Sequence, residues 1–316
     1  MNLRIEKYSQ KDFDIWDFFC NTSQNGTFLH TRKFIEYQSE KFIDFSLIFL
    51  KDEKLIGLFP LAFFENNESL IISHPGLSYG GIVHNGDLNG EKMLNAIDLS
   101  LEYLKKHNFK KLIYKPIPYI YQIIPSDDDI YALTQRGGII QRSELSSSVN
   151  LYSKFKVDSK KVRLSSPLIN ESDIKEGADH LSEYWQLLST VLMKYHNSIP
   201  THNFLEIQYL MKIFPNNIKL YSISVNNEII AGVILFITSR CWHVQYMASN
   251  EMGRKLSALD IILSHLIENA KKSSINFFDF GHSNELKGKV LNQGLYNFKN
   301  KFGGGGVSLV QFECNL

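Results

Sequence analysis

The chain has 316 residues, a length that suits two domains of about 100–200 residues each. With 44% hydrophobic and 21% charged residues it can bury a substantial core, which excludes a disordered chain. A formal net charge of +1 supplies no global field for nucleic acid or an acidic membrane.

The first half opens on an N-terminus, Met-Asn-Leu-Arg-Ile-Glu-Lys-Tyr, that lacks the apolar core of a signal peptide. A helical segment carries Trp16, and another runs over Thr31-Arg32-Lys33-Phe34-Ile35-Glu36-Tyr37-Gln38. Three β-rich runs follow between Phe45 and Ser73: F-S-L-I-F-L, L-I-G-L-F-P-L-A-F-F and S-L-I-I-S. Polar turns at Lys51–Lys54 and Glu65–Glu68 separate them, the pattern of a meander. A helix is expected from Gly90 to Lys106, with Lys105 and Lys106 complementing its dipole in the last turn. Then come a strand at Lys110–Tyr114, a short helix around Ile130–Leu133, the pair Gly137-Gly138 and a closing strand.

The second half repeats this order at an offset of roughly 170 residues. Trp185 answers Trp16, and Thr201-His202-Asn203-Phe204-Leu205-Glu206-Ile207-Gln208 answers the segment at Thr31. Three strands are expected between Ile218 and Ser249, with Gly232 placed as Gly57 is in the first half. A helix from Gly253 to Lys272, a strand at Asn276–Phe280, a helix around Leu295–Phe298, Gly303-Gly304 and a closing strand complete the copy. The expected organisation is a first domain over 1–154, a linker rich in Lys, Ser and Arg over 155–171, and a second domain over 172–316. Each domain is read as an α/β unit: a mixed, mostly antiparallel sheet flanked by helices.

Cys20, Cys241 and Cys314 are far apart and form no C-x-x-C pair, so neither a disulfide framework nor a thiolate zinc site is expected. A reducing, cytoplasmic setting follows. The longest apolar run, between Glu228 and Arg240, is shorter than the about 20 residues of a spanning helix. A membrane-bound substrate would be met from the water side, at the inner face of the membrane.

The order of elements resembles the GCN5-related N-acetyltransferase (GNAT) fold. Its doubling in one chain resembles the FemABX group of peptidoglycan aminoacyl transferases and their relatives in surface-polysaccharide clusters. The sharpest likeness is Phe278-Asp279-Phe280-Gly281, followed by Gly294-Leu295-Tyr296-Asn297-Phe298-Lys299-Asn300-Lys301-Phe302-Gly303. These resemble the D-F-G and G-L-x-x-F-K-x-x-F-G pattern of that group. The resemblance implies acyl or aminoacyl transfer to an amino group, with the first copy degenerate and the second catalytic. It further implies an amino sugar or nucleotide sugar of a surface glycan precursor as acceptor, and either acyl-coenzyme A or aminoacyl-tRNA as donor.

Acyl transfer to an amine needs a bound activated acyl group, a neutral amine, a donor for the oxyanion and an acid for the leaving group. No metal is required, and no H-E-x-x-H pattern occurs. Asn250-Glu251-Met252-Gly253-Arg254-Lys255 opens a helix where simpler N-acetyltransferases carry a Q/R-x-x-G-x-G/A turn for coenzyme A pyrophosphate. Asn250, Gly253, Arg254 and Lys255 are therefore cofactor candidates; the alternative is a solvated basic first turn.

Lys299 has Thr134 in its place in the first copy, as suits a site residue; the resemblance implies a role near the acyl ester or a phosphate. Asp279 lies on the strand face opposite Phe278 and Phe280, as a base, an orienting group or a loop cap. His282 and Glu285 follow at the end of that strand, where sites are commonly built. His74 and Tyr79, in the glycine-rich loop Ser73–Gly81, are substrate-contact candidates, or parts of a tight connection. His196 ends one helix, to contact substrate or to pack, and His243 and Gln245 alternate along the fourth strand, towards the acyl donor or into packing. The run Lys154, Lys156, Lys160, Lys161 and Arg163 could meet an anionic substrate or be a solvated linker. A non-catalytic module that binds a glycan or nucleotide sugar is the rival to an enzyme.

Overall fold

The structure is a computed structural model that describes residues 3–153, 162, 166 and 168–316. The basic run Lys154–Arg163 and much of the 155–171 segment lie outside the described residues. The chain folds into two compact units. One comprises Met1–Glu144, Leu286–Lys289 and Ser308–Leu316; the other comprises Leu145–Glu285 and Val290–Val307.

The elements of the first part of the chain are β1 (Leu3–Lys7), α1 (Phe13–Thr22), α2 (Arg32–Ile35), β2 (Ile43–Asp44), β3 (Leu47–Lys51), β4 (Lys54–Phe59), β5 (Ala62–Phe64), β6 (Asn67–Ile72), β7 (Val83–His84), α3 (Glu91–Lys106), β8 (Lys111–Tyr114), α4 (Asp128–Gln135) and β9 (Ile139–Asn150). Those of the second are β10 (Ile174–Glu176), α5 (Leu181–His196), α6 (Phe204–Ile213), β11 (Ile218–Val225), β12 (Glu228–Ile237), β13 (Cys241–Ser249), α7 (Glu251–Lys255), α8 (Ala258–Lys272), β14 (Phe277–His282), β15 (Asn284–Glu285), β16 (Val290–Leu291), α9 (Gln293–Asn300) and β17 (Gly305–Asn315).

In the first unit β1, β3, β4 and β7 form one antiparallel sheet. A second carries the C-terminal strand β17 against β8, then β6, β5 and β2, with β6 and β8 parallel. The run L-I-G-L-F-P-L-A-F-F is therefore two strands and not one. Pro60 has no N–H to give a ladder, so β4 ends before it and β5 joins the other sheet. The Leu61 N–H is met by Ser46 Oγ at 3.2 Å instead. Met93, Ala96, Ile97, Ser100 and Leu104 give α3 a buried stripe at helical spacing, packed beside Phe49, Phe59 and Tyr114. Each such large side chain contributes about 1.5–3 kcal/mol on burial.

The second unit has the sheet order β10, β11, β12, β13, β14 and the Ser146–Asn150 end of β9. All neighbours are antiparallel except β13 and β14, which α8 connects in parallel. The single helix expected from Gly253 is two. Ser257 adopts a left-handed backbone (φ 56°) and divides α7 from α8. Ile261, Ile262 and Leu266 of α8 pack with Val233, Leu235, Phe278 and Phe280.

The repeated segment does matched work in each unit. Arg32 is buried, with its guanidinium 3.8 Å from the Tyr8 ring centre and ion-paired to Glu36 and Asp44. At the same place in the second unit His202 is buried, and its Nδ1 meets Tyr246 Oη at 2.6 Å. Gly232 lies so near Tyr184 that an added Cβ would stand 2.5 Å from the ring. Gly232→Ala is expected to lower stability by about 1–3 kcal/mol, the usual cost of overpacking. Urea unfolding of the variant checks this.

Candidate active site in the second unit

β13 and β14 pair in parallel over only three residues: Cys241 with Phe277, Trp242 with Phe278 and His243 with Asp279. Beyond His243 they part, and among the described residues no strand pairs with the β13 edge from Val244 to Ser249 on that side. Its register with β12 skips Gln245, which is the extra residue of a β-bulge. Bulges increase local twist and re-aim side chains. Here the bulge lies where the strands diverge, so backbone polar groups of β13 are left for a ligand.

Asp279 is 1% exposed. Its Oδ1 accepts from Ser146 Oγ at 2.5 Å, and its Oδ2 meets His243 Nδ1 at 2.7 Å. Burial pushes the carboxyl pKa up, but the bonds from His243 and Ser146 and the nearby Lys299 charge outweigh it and hold it below the usual range. Lys299 reaches in from α9 and is 3% exposed. Its ammonium donates to the carbonyls of Gly281 and His282 at 2.8 and 2.7 Å. Burial lowers its pKa to about 8 against the opposing pull of Asp279. Gly281 has φ 72°, and a Cβ there would stand 3.3 Å from His243 Cε1, so glycine serves both the backbone and the imidazole.

A cavity of about 480 Å³ opens beside the free end of β13. Met247, Leu259, Leu295 and Phe298 give it an apolar wall, and Arg254, Lys301 and the Asp260 carboxylate give it charged groups. Arg254 donates to Ser249 O and Tyr195 Oη, each at 2.8 Å. Lys301 pairs with Asp260 at 2.6 Å and lies 4.4 Å from the Phe298 ring centre. Ser257 and Leu259, at the start of the fifteen-residue α8, also line it. An apolar channel with cations and a helix N-terminus suits a long thiol ester with phosphates.

Of the cofactor candidates, Gly253 and Arg254 line this cavity. Asn250 caps α7, and its Oδ1 takes the Gly253 N–H at 2.8 Å, the group a phosphate would have used. Gly253 also lets α7 approach β12: a Cβ there would stand 2.2 Å from Ile230 O. Lys255 is exposed and absent from the cavity lining. Gln245 occupies the bulge and bonds Tyr246. His282 is exposed, with its backbone carbonyl held by Lys299. Glu285 is exposed and accepts from Asn292 Nδ2 at 2.7 Å. The side chain of His196 lies outside the described residues.

His74 and Tyr79 belong to the first unit and are buried there. His74 has φ 43°, and burial first, then the Lys115 charge, takes its pKa to about 3. Lys115 donates to the carbonyls of His74 and Leu77 at 2.8 and 2.5 Å, so the loop is tied from within. Among the described residues no group of three or more His, Cys, Asp and Glu could hold a metal ion. Nor is any described helix long and apolar enough to cross a membrane.

Residue-by-residue reading left the parts of the site unjoined. It did not link Ser146 to Asp279, nor did it single out Lys301 or Tyr195 for the donor. Lys301 carried a signal, because Phe298 lies three residues before it on α9, within one turn.

Residues 173–300 match the family described as acetyltransferase (GNAT) domain. That match and the parted strands make the second unit a GNAT-type N-acyltransferase domain. The structure described as FemX superposes with a TM-score of 0.68 at 14% identity, covering 98% of this chain and 97% of that one. A tandem GNAT protein from the clavulanic acid pathway, described as without AcCoA, gives 0.54 at 8% identity, over 99% and 98%. L-PGS from Bacillus licheniformis gives 0.58 at 12% identity, over 98% and 93%. No curated protein matches the chain. In fold, the chain is similar over nearly its whole length to FemX and to a tandem GNAT protein, with the GNAT-domain match lying in its second part.

Lys299 provides a pH test. Its folded pKa of about 8 lies below the 10.5 of an ordinary lysine, so the fold bears the full cost of the buried charge below pH 8. That cost fades as pH rises from 8 to 10.5. The stability lost in Lys299→Met should therefore grow over this window, as measured by denaturant melts of both proteins at matched pH.

Proposed function

We propose that the second unit transfers an acyl group from acyl-coenzyme A to an amino group, on an amino sugar of a surface glycan precursor. The observation that carries the reading is the cationic, apolar-walled cavity beside the free edge of β13. The thioester would lie along that edge, its carbonyl oxygen meeting free β13 N–H groups. The phosphates would lie towards Arg254, Lys301 and the start of α8. Arg254 and Gly253 are the cofactor contacts of this reading. Asn250 acts by capping α7, and Lys255 by general charge.

Lys299 uses two of its three N–H donors to hold the end of β14. The third is left for charge that develops beside it. The amino-sugar acceptor and cytoplasmic setting rest on the likeness to surface-polysaccharide enzymes alone. Aminoacyl-tRNA is the second donor reading, supported by the full-length likeness in fold to FemX. The charge of +1 disfavours it, because phosphate binding rewards basic surfaces.

Acetyl-coenzyme A should raise the thermal midpoint of the protein by mass action, because it binds only the folded state. Lys301→Gln should weaken that binding roughly tenfold, about the value of one charge-assisted hydrogen bond. No rise with acetyl-coenzyme A, together with gel retardation of aminoacyl-tRNA, would replace the thioester by the tRNA donor.

A further inference from the structure

His243 does not line the donor cavity, yet it stands where the strands part. It is the last β13 residue paired with β14. Its Nδ1 meets Asp279 Oδ2 at 2.7 Å, and Ser146 Oγ holds the other carboxylate oxygen. With an ionised Asp279 as acceptor, the imidazole carries its proton on Nδ1, a tautomer assigned from the hydrogen-bond network. Nε2 is then a free lone pair.

The two ends of the pair differ in access. The Asp279 side chain is 2% exposed and that of His243 19%. The ring extends along β14 towards Gly281, whose missing Cβ makes room for it. Among the described residues none hydrogen-bonds Nε2. A buried orienting acid and a reachable ring nitrogen are what a general base needs.

The other candidates are committed elsewhere. Lys299 donates to two carbonyls, His282 Nδ1 accepts from the Asn284 N–H, and Glu285 holds Asn292. Asp279 and His243 act on each other, and the charge of Lys299 acts on Asp279.

We propose that His243 takes the proton from the attacking amine, with Asp279 and Ser146 as positioning residues. This rests on the acyl-transfer reading. The amine reaches the site neutral, having left its first proton in solvent. Its lone pair forms a C–N bond to the thioester carbonyl carbon. The C–S bond breaks, and the thiolate leaves with that electron pair. The surplus proton on nitrogen passes to His243 Nε2. The imidazolium, facing the Asp279 carboxylate, hands it to the thiolate or to water. Amine and thioester become amide and thiol.

The test compares wild type and His243→Gln by two readouts: the acetyl-coenzyme A shift in thermal midpoint, and turnover of acetyl-coenzyme A with glucosamine across pH. The variant should keep the shift and lose about 10²–10⁴-fold in kcat, the usual contribution of a positioned base. It should also lose the acid-side fall in rate that the proposal expects of wild type. In His243→Ala, added imidazole should restore rate in proportion to its free-base form. His243→Asn serves if the glutamine variant does not fold. A folded variant that binds acetyl-coenzyme A and turns over at the wild-type rate, with an unchanged pH profile, overturns the proposal and leaves acyl transfer standing. A wild type that neither shifts nor acetylates overturns the acyl-coenzyme A reading, and this proposal with it.

Discussion

The candidate site depends on where the pairing of β13 and β14 stops. Three residues of parallel ladder hold the strands together, and among the described residues the pairing ends at His243. A sheet interior normally leaves no backbone donor free, because an unpaired buried N–H costs free energy. Parting the strands creates such donors at one place, and the bulge at Gln245 keeps β13 in register with β12 while it diverges. The brace lies just behind the divergence. Asp279 joins β14 to β13 through His243 and to β9 through Ser146. Lys299 closes the end of β14 from α9.

The same device occurs in both units with different residues. In the first, Lys115 follows β8 and reaches the carbonyls of the Ser73–Gly80 loop. In the second, Lys299 comes from α9 and reaches those at the end of β14. Both ammonium groups are nearly dry, and burial lowers both pKa values, to about 7 and about 8. A buried lysine therefore tethers carbonyls in each copy. The absence of a lysine at Thr134 does not make Lys299 purely catalytic, since Lys115 does the tethering from another element. The second unit carries an acid–imidazole pair and, in the same unit, a cavity with cations on its wall.

Each unit also takes its last strand from the other half of the sequence. Ser146–Asn150 of β9 pairs with β14, and Phe312–Asn315 of β17 pairs with β8. Ser146 thus reaches Asp279 across 133 positions of sequence. The acid that positions the proposed base is held by a residue from the end of the first repeat.

Much of the fold was legible in the sequence because its causes are local. Strand alternation, polar turns, helix stripes and the basic last turns of α3 and α8 each depend on residues within a few positions. The repeat around Thr31 and Thr201 could be read because residue types recur in register, even though Thr31 caps α2 and Asn203, two positions past Thr201, caps α6. The breaks at Pro60 and Ser257 were harder to place, since each expresses how a helix or strand meets its sheet. The site was legible only as separate residues. Asp279, Lys299, Gly253 and Arg254 stood out by type and spacing. That Asp279 would face His243 and Ser146, and that Asn250 would fill the anion position at Gly253, was decided by tertiary structure. Strand partner and register are long-range choices, made by which faces bury together, and no spacing within one segment encodes them.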